Sequence, residues 1–271
     1  MRGFYVVKSD FILYNKHALK GITYFEEVRD TTIIQDDMRN VCTQLLTEMK
    51  EGIFSDCDKL PRETVLSEKL GISRTQLRDA LAELESEGFI TRRHGVGTVI
   101  NRHVLQVKNR MDIETEFLEI IRQNGYRPAI SYVQEKEEKA DAYLAGKLNI
   151  PEGTLVVRVC RICTADERPA IYCEDVLEKR FVRGDYTRKD LESPIFYFMK
   201  KFCGREAYMD LTQLHAVAAG EVVARALNVS VGAPLLNMEE VDYDIEGTPI
   251  LYSSQYFSDE LIEQTVLRKK L

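Results

Sequence analysis

Arg74 and Arg78 stand one helical turn apart in the run Ser73-Arg74-Thr75-Gln76-Leu77-Arg78, a spacing that puts both guanidinium groups on one side of a helix. A guanidinium can grip the O6 and N7 edge of guanine through two parallel hydrogen bonds, worth about 1–3 kcal/mol of discrimination. Thr75 and Gln76 supply shorter polar contacts. Ser73 followed by Gln76 also fits a capping box, so Gln76 cannot readily serve as both cap and base reader. Further on, Arg92, Arg93 and His94 lead into Gly95-Val96-Gly97. These basic side chains could reach a phosphate or a minor groove, and the two glycines permit close approach and positive φ. Taken together, these groups have the chemistry to hold and read a nucleic-acid duplex.

The elements that must position them follow from pattern. Met38, Val41, Cys42, Leu45, Leu46 and Met49 recur at helical spacing and end at Gly52. A second helix is expected over about Glu63–Leu70, stopped by Gly71. After the tight turn Gly71-Ile72-Ser73, a third helix turns Leu77, Ala80, Leu81 and Leu84 inward and ends at Gly88. Phe89 to Arg93 and Thr98 to Ile100 read as two short strands around the hairpin tip. Arg74 and Arg78 alone would suit a solvated basic helix equally well. The ordered set of turn, cap, inward stripe, stop and basic Gly-x-Gly hairpin favours DNA binding.

Whole-chain properties set bounds on this reading. A chain of 271 residues has room for two domains, and 44% hydrophobic with 30% charged residues is ordinary globular composition. The apolar starts at Phe4 to Val7 and Phe11 to Tyr14 are broken by Lys8, Ser9 and Asp10, so no signal peptide is expected and the cytoplasm is the default location. The formal charge of −7 excludes coating nucleic acid through bulk charge, leaving a local basic surface to do the binding. The six scattered cysteines are expected as reduced thiols. Cys160-x-x-Cys163 lies in a strand-like run without a second Cys pair or a nearby His, which argues against zinc. No metal or cofactor motif and no catalytic set appears, and His215 is isolated.

Leu60-Pro61-Arg62-Glu63, Gly71-Ile72-Ser73-Arg74, Leu77-Arg78-Asp79-Ala80-Leu81, Glu87-Gly88-Phe89-Ile90 and His94-Gly95-Val96-Gly97-Thr98 together resemble the winged helix-turn-helix of GntR-family transcription regulators. The resemblance covers residues 36–101 and implies DNA contacts from Arg74, Thr75, Gln76, Arg78, His94 and Gly95. One departure is Thr64, where the family usually carries a DNA-contacting arginine. Either Arg62 substitutes for it, or the operator differs there.

Residues 102–113 read as a polar linker, and 114–271 as a second domain, opening with a helix over Glu114 to Asn124. It contains an internal repeat: Leu148 to Val156 is matched by Leu227 to Leu235, 79 residues on. Each copy follows an Ala-rich helical segment and leads into a strand, a turn and a second strand. Two such units make a mixed α+β domain around an antiparallel sheet. Gly125-Tyr126, Leu148 to Gly153, Arg161 to Asp166, Pro169, Leu227 to Leu235 and Gly247 to Tyr252 resemble the UTRA effector domain of the HutC-type branch of GntR regulators. That resemblance implies a chorismate-lyase-like fold binding a small metabolite between the sheet and its loops.

Side chains alternate along a strand, so Arg158 and Arg161 face opposite ways and one of them should face the pocket. By the resemblance, Arg161 occupies a position that binds ligand anions in sugar-phosphate-responsive relatives. Their second arginine is replaced by Cys163, and their serine/threonine phosphate loop by the acidic and apolar stretch Glu116 to Leu118. A sugar phosphate is therefore disfavoured against a metabolite with one carboxylate or an amine. Glu174, Asp175, Tyr252 and Tyr256 are further pocket candidates, each also explicable as a surface ion pair or a packed aromatic. The expected protein is a dimeric, metabolite-responsive repressor on a palindromic operator. The alternatives are a lyase-like enzyme fused to a DNA reader and a ligand-independent dimeric regulator.

Overall fold

The computed structural model describes residues 31–258 and 260–269, with side chains from residue 40 onward. Residues 1–35, which read in sequence as an aromatic-rich N-terminal extension of unknown role, lie outside the described residues, except that 31–35 already belong to the opening helix. The chain forms two compact units. One closes at Val107 and takes in Leu267 onward, and the other spans Lys108–Val266.

In the first unit, helix α1 (Thr31–Lys50) buries Val41, Leu45 and Met49, three members of the apolar stripe read from sequence. The Met38 side chain lies outside the described residues. Helix α2 (Glu63–Leu70) ends at Gly71 in the left-handed conformation. Helix α3 (Arg74–Ser86) buries Leu77, Ala80, Leu81 and Leu84 completely. Each buried leucine contributes roughly 1.5–3 kcal/mol, which fixes the face that α3 leaves to solvent. Strands β1 (Ile90–Arg93) and β2 (Gly97–Ile100) form an antiparallel hairpin with Arg93 opposite Gly97. Backbone bonds from Leu60 N to Thr98 O and from Ile100 N to Asp58 O, both 2.9 Å, lash the loop before α2 to this hairpin.

Two features extend this unit past the boundaries read from sequence. The stretch 102–113, expected as a linker, opens with helix α4 (Arg102–Leu105). The Arg102 guanidinium donates to the carbonyls of Met49, Phe54 and Cys57, satisfying acceptors that α1 and its exit loop leave open. At the far end of the chain, Lys269 Nζ donates to the Glu85 and Ser86 carbonyls at the C-terminal end of α3. A cation is favoured at that end of a helix, and this draws the last described residues to the first unit.

The second unit is a six-stranded antiparallel sheet in the order β3-β4-β5-β8-β7-β6. Its strands are β3 (Pro128–Lys139), β4 (Leu155–Ala165), β5 (Arg168–Glu178), β6 (Met209–Ala218), β7 (Pro234–Tyr243) and β8 (Pro249–Phe257). Helix α5 (Phe117–Gln123) precedes β3, and α7 (Arg188–Leu191) and α8 (Ile195–Phe198) follow β5. The repeat is visible as α6 (Ala142–Leu148) before β4 and β5, and α9 (Glu221–Leu227) before β7 and β8. Both helices end on a left-handed asparagine, Asn149 and Asn228. The structural repeat is one strand longer than the sequence shows, because β3 and β6 precede the helices and form the two edges. Edge strands keep much of their surface in water. The run Glu135-Lys136-Glu137-Glu138-Lys139 in β3 accordingly carries no apolar alternation.

Helices cover both faces of the sheet. Helices α6 and α9 pack on Val156, Val176 and Tyr252 and on Tyr172 and Leu235. On the other face Ile120 and Ile121 meet Cys163, Cys173 and Phe257, while Leu191, Ile195 and Phe198 meet Val157, Val159 and Leu177. Cys160 and Cys163 are an odd number of positions apart in β4, so they project to opposite faces and do not converge. All six cysteines are free thiols.

Candidate functional site

Two candidate sites stand out, one in each unit. In the first, the Ser73–Gln76 box closes in both directions. Ser73 Oγ accepts from Gln76 N at 3.2 Å, and Gln76 Oε1 accepts from Ser73 N at 3.1 Å. Gln76 therefore acts as the cap, with its oxygen spent and only its amide nitrogen left for another partner. Arg74 and Thr75 project from the first turn of α3 and are exposed. The Arg74 side chain makes no hydrogen bond or ion pair among the described residues.

Arg78 is exposed but not idle: its Nε donates to Glu63 Oε2 at 2.8 Å, tying α3 to α2. Arg62 and Thr64, on either side of Glu63, are exposed as well. In the wing, Arg92 donates through Nε to Glu85 at 2.7 Å, and Glu85 also accepts from the Arg92 backbone. Arg92 thus fastens the hairpin to α3, leaving Arg93 and His94 as the open basic groups of the tip. Gly95 and Gly97 adopt φ of 76° and 100°, a region that side chains with a Cβ rarely enter.

The second site is a cavity of about 60 Å³ within the sheet unit, several times the space that one water requires. One wall is the segment before and into α5, with Asn109, Arg110, Glu114, Glu116 and Phe117. The sheet supplies Asp175 from β5, Asp210 from β6, Glu240 from β7, and Ser253 and Gln255 from β8. Ile195 and Phe196 of α8 close a third side. The lining carries five carboxyl groups against one guanidinium, Arg110, which is paired with Asp112.

Burial pushes Glu116 and Glu240 up to about 8. Neighbouring carboxylates add to the rise, while Arg161 opposes it at Glu116 and a bond from Gln255 opposes it at Glu240. Glu114, exposed at the rim, is raised less, to about 7, by desolvation and by Asp210. Asp242, next on the same face of β7 as Glu240, is held well above the usual carboxylate range by burial and then by Glu240.

The six pocket candidates read from sequence divide by strand parity. Asp175 lines the cavity, and Arg161 is buried on the same face of the sheet. Arg161 donates through its two terminal nitrogens to Asp175 at 2.5 Å and the Ser193 carbonyl at 2.8 Å, and Asp175 also accepts from Ser253 Oγ at 2.6 Å. Arg158, Glu174, Tyr252 and Tyr256 are corrected: they project to the face covered by α6 and α9. There Arg158 pairs with Glu138 and Glu174, Tyr252 contacts Tyr143, and Tyr256 lies against Tyr172. Each of these strand residues is an odd number of positions from the one that faces the cavity, so a pocket assignment for one excludes its neighbour.

Glu114, Asp210, Glu240 and Gln255 escaped sequence reading, because tertiary packing alone brings them together with Glu116, whose stretch the sequence singles out only as a replaced phosphate loop. The available signal was the polar run Ser253-Ser254-Gln255 inside a strand of otherwise apolar and aromatic residues, which does not by itself tell which face is the wall.

A winged helix-turn-helix joined to a repeat-built antiparallel sheet with a lined cavity defines a ligand-sensing class of DNA-binding regulator. Residues 38–100 match the model of bacterial regulatory proteins of the gntR family, and residues 123–262 match the UTRA domain. The UTRA match alone exceeds half of the chain, and the protein belongs to the UTRA-containing, HutC-type GntR transcription regulators.

The chain is 24% identical over 228 residues to the "Probable fructoselysine utilization operon transcriptional repressor" of Escherichia coli (strain K12), covering 84% of this chain and 92% of that protein. It is 23% identical over 218 residues to the HTH-type transcriptional repressor NagR of Bacillus subtilis (strain 168), covering 80% and 88%. The crystal structure of the "possible transcriptional regulator YydK" from Bacillus subtilis shares the fold, with a TM-score of 0.71 at 20% identity over 86% of this chain and 99% of that one. The family and these relatives are transcription regulators, not enzymes. No helix among the described residues is long and apolar enough to cross a membrane.

Proposed function

We propose that this protein is a repressor that binds a short palindromic operator as a homodimer and lets go when a small molecule fills the sheet cavity. The observation that carries the reading is the solvent-facing first turn of α3, where Arg74 and Thr75 stand free beside a glycine-bearing basic wing. On this reading, α3 enters the major groove. Arg74, Arg78 and Thr75 meet base edges there, Ser73, Gln76, Arg62 and Thr64 lie near the backbone, and His94, Gly95 and Gly97 approach the neighbouring phosphates. Arg92 holds the wing against α3 and so acts on DNA through position.

The repressor sense is carried over from relatives whose names state it. Homodimerisation is supported by the edge strand β6, which exposes Met209, Leu211 and Leu214 beside its unpaired backbone. The protein would act in the cytoplasm, where operator and metabolite meet.

Enrichment of random duplexes on the purified protein, followed by footprinting, tests the reading. The expected product is an inverted repeat whose half-sites lie about one helical turn apart. Enrichment of no sequence over bulk DNA would refute it.

A further inference from the structure

We propose that the ligand of the sheet cavity is an organic cation, a small protonated amine that also carries an oxygen acceptor. The inference rests on the regulator reading above and adds the chemical class of its effector. Sequence left a carboxylate or an amine open, and the cavity wall decides between them.

The buried atoms without partners are mostly acceptors. Glu116 Oε1 is sealed from water with no hydrogen bond, and so is Gln255 Oε1, whose residue is 1% exposed. Both residues line the cavity. Asp242, also 1% exposed, has neither oxygen bonded; it lies on the same face of β7 as Glu240 but outside the lining, and adds negative potential rather than a contact. An orphaned buried acceptor costs free energy until a donor arrives, so such a wall calls for a ligand rich in N–H groups.

The cations that could hold an anion are already committed. Arg161 is engaged by Asp175 and Ser193, leaving only its Nε unbonded, and Arg110 is paired with Asp112. An anion entering here would find no free counter-charge and would hold Glu116 and Glu240 in their protonated forms, whereas a bound cation draws their protons off and is met by carboxylates. Among the described residues, Gln264 Nε2 is the buried donor of the lining that lacks a partner, and it asks for an oxygen on the ligand. A metal ion fits poorly, since no group of three or more His, Cys, Asp or Glu among the described residues is arranged to hold one. The carboxyls are spread around the wall and would meet several N–H donors of one organic ion.

Thermal-shift and calorimetric titration of the full chain with 2-aminoethanol and 1,4-diaminobutane, at constant ionic strength, tests the proposal. Acetate, inorganic phosphate and Mg²⁺ are the comparison probes. The expected result is a rise in melting temperature with 2-aminoethanol, a smaller one or none with 1,4-diaminobutane, which has no oxygen to offer Gln264, and no rise with acetate, phosphate or Mg²⁺. Glu116→Gln and Glu240→Gln should remain folded and each weaken amine binding about ten-fold or more, as expected when a charge-assisted hydrogen bond is lost.

Stabilisation by acetate, phosphate or Mg²⁺ without any by amines would overturn the proposal. So would amine binding that both variants retain at full strength, or no response to either amine. The operator-binding assay is scored separately on the ligand-free protein. An anion-responsive protein that still binds its operator would sink the cation assignment and leave the regulator reading intact. Absence of specific DNA binding would sink that reading instead.

Discussion

Arg74 and Arg78, four positions apart and alike in type, are unequal in the fold. Arg74 meets no partner among the described residues, so DNA receives its guanidinium without exchange. Arg74→Ala should cost about 1–3 kcal/mol of operator binding in a gel-shift titration. Arg78 must first leave Glu63, an exposed ion pair that solvent weakens. Arg78→Ala should therefore cost somewhat less, and Glu63→Ala should tighten binding by up to a few-fold. Equal losses for the two arginines and no effect of Glu63→Ala would show that the pair does not restrain Arg78. Arg161 differs in kind, because it and Asp175 are 4% and 1% exposed. Removing one partner of a buried pair costs about 3–5 kcal/mol, so Arg161→Ala should lower the unfolding free energy by that order. A ligand contact at the surface would leave the denaturation midpoint nearly unchanged.

Helix α3 is the element on which both packing and recognition depend. Its buried stripe of Leu77, Ala80, Leu81 and Leu84 orients the outer face, and the Ser73–Gln76 box sets where the helix begins. Leu81→Ala should cost about 2–5 kcal/mol through the cavity it leaves, read as a lowered melting temperature for the reader unit. Ser73→Ala should cost about 1 kcal/mol, and it should weaken DNA binding beyond its stability effect because the first turn carries Arg74 and Thr75. The core of this element was legible in sequence because helical periodicity, cap and stop all act within a few residues. The hold of Lys269 on its C-terminal carbonyls was not, since that contact joins positions far apart in the chain.

At the scale of the whole molecule, the acidic cavity makes stability depend on pH. Glu116 and Glu240 titrate near 8 when folded, against an ordinary value of 4.5. Their protonated forms are favoured in the native state. The stabilisation they contribute is therefore complete below about pH 4.5 and lost as the pH rises through about 8. Glu240 is faced by Gln255 of β8, Asp210 of β6, Asp175 of β5 and Glu114 before α5, and Asp242 lies beside it on β7. The ligand-free melting temperature should fall between pH 5 and 9, with a shallower fall in Glu240→Gln. An unchanged slope in that variant would assign the effect to other groups. Leu211→Glu on the exposed edge of β6 should yield monomers in sedimentation and weaken operator binding more than ten-fold, because the second half-site no longer adds to the first. A dimer that survives this change would move the interface elsewhere.

The amino-acid order alone determined the reader unit, the repeated helix and strand pair, and the departures at Thr64, Cys163 and Glu116 to Leu118 that turned attention from phosphate. Those features rest on interactions between near neighbours, where hydrophobic period and turn chemistry are decisive. Only the tertiary structure decided which way each strand faces. It thereby moved Arg158, Glu174, Tyr252 and Tyr256 away from the cavity and gathered Glu114, Glu116, Asp210, Glu240 and Gln255 around it. The physical reason is parity. A strand offers two opposite faces at equal local cost, and which of them becomes a wall is settled by partners distant in sequence.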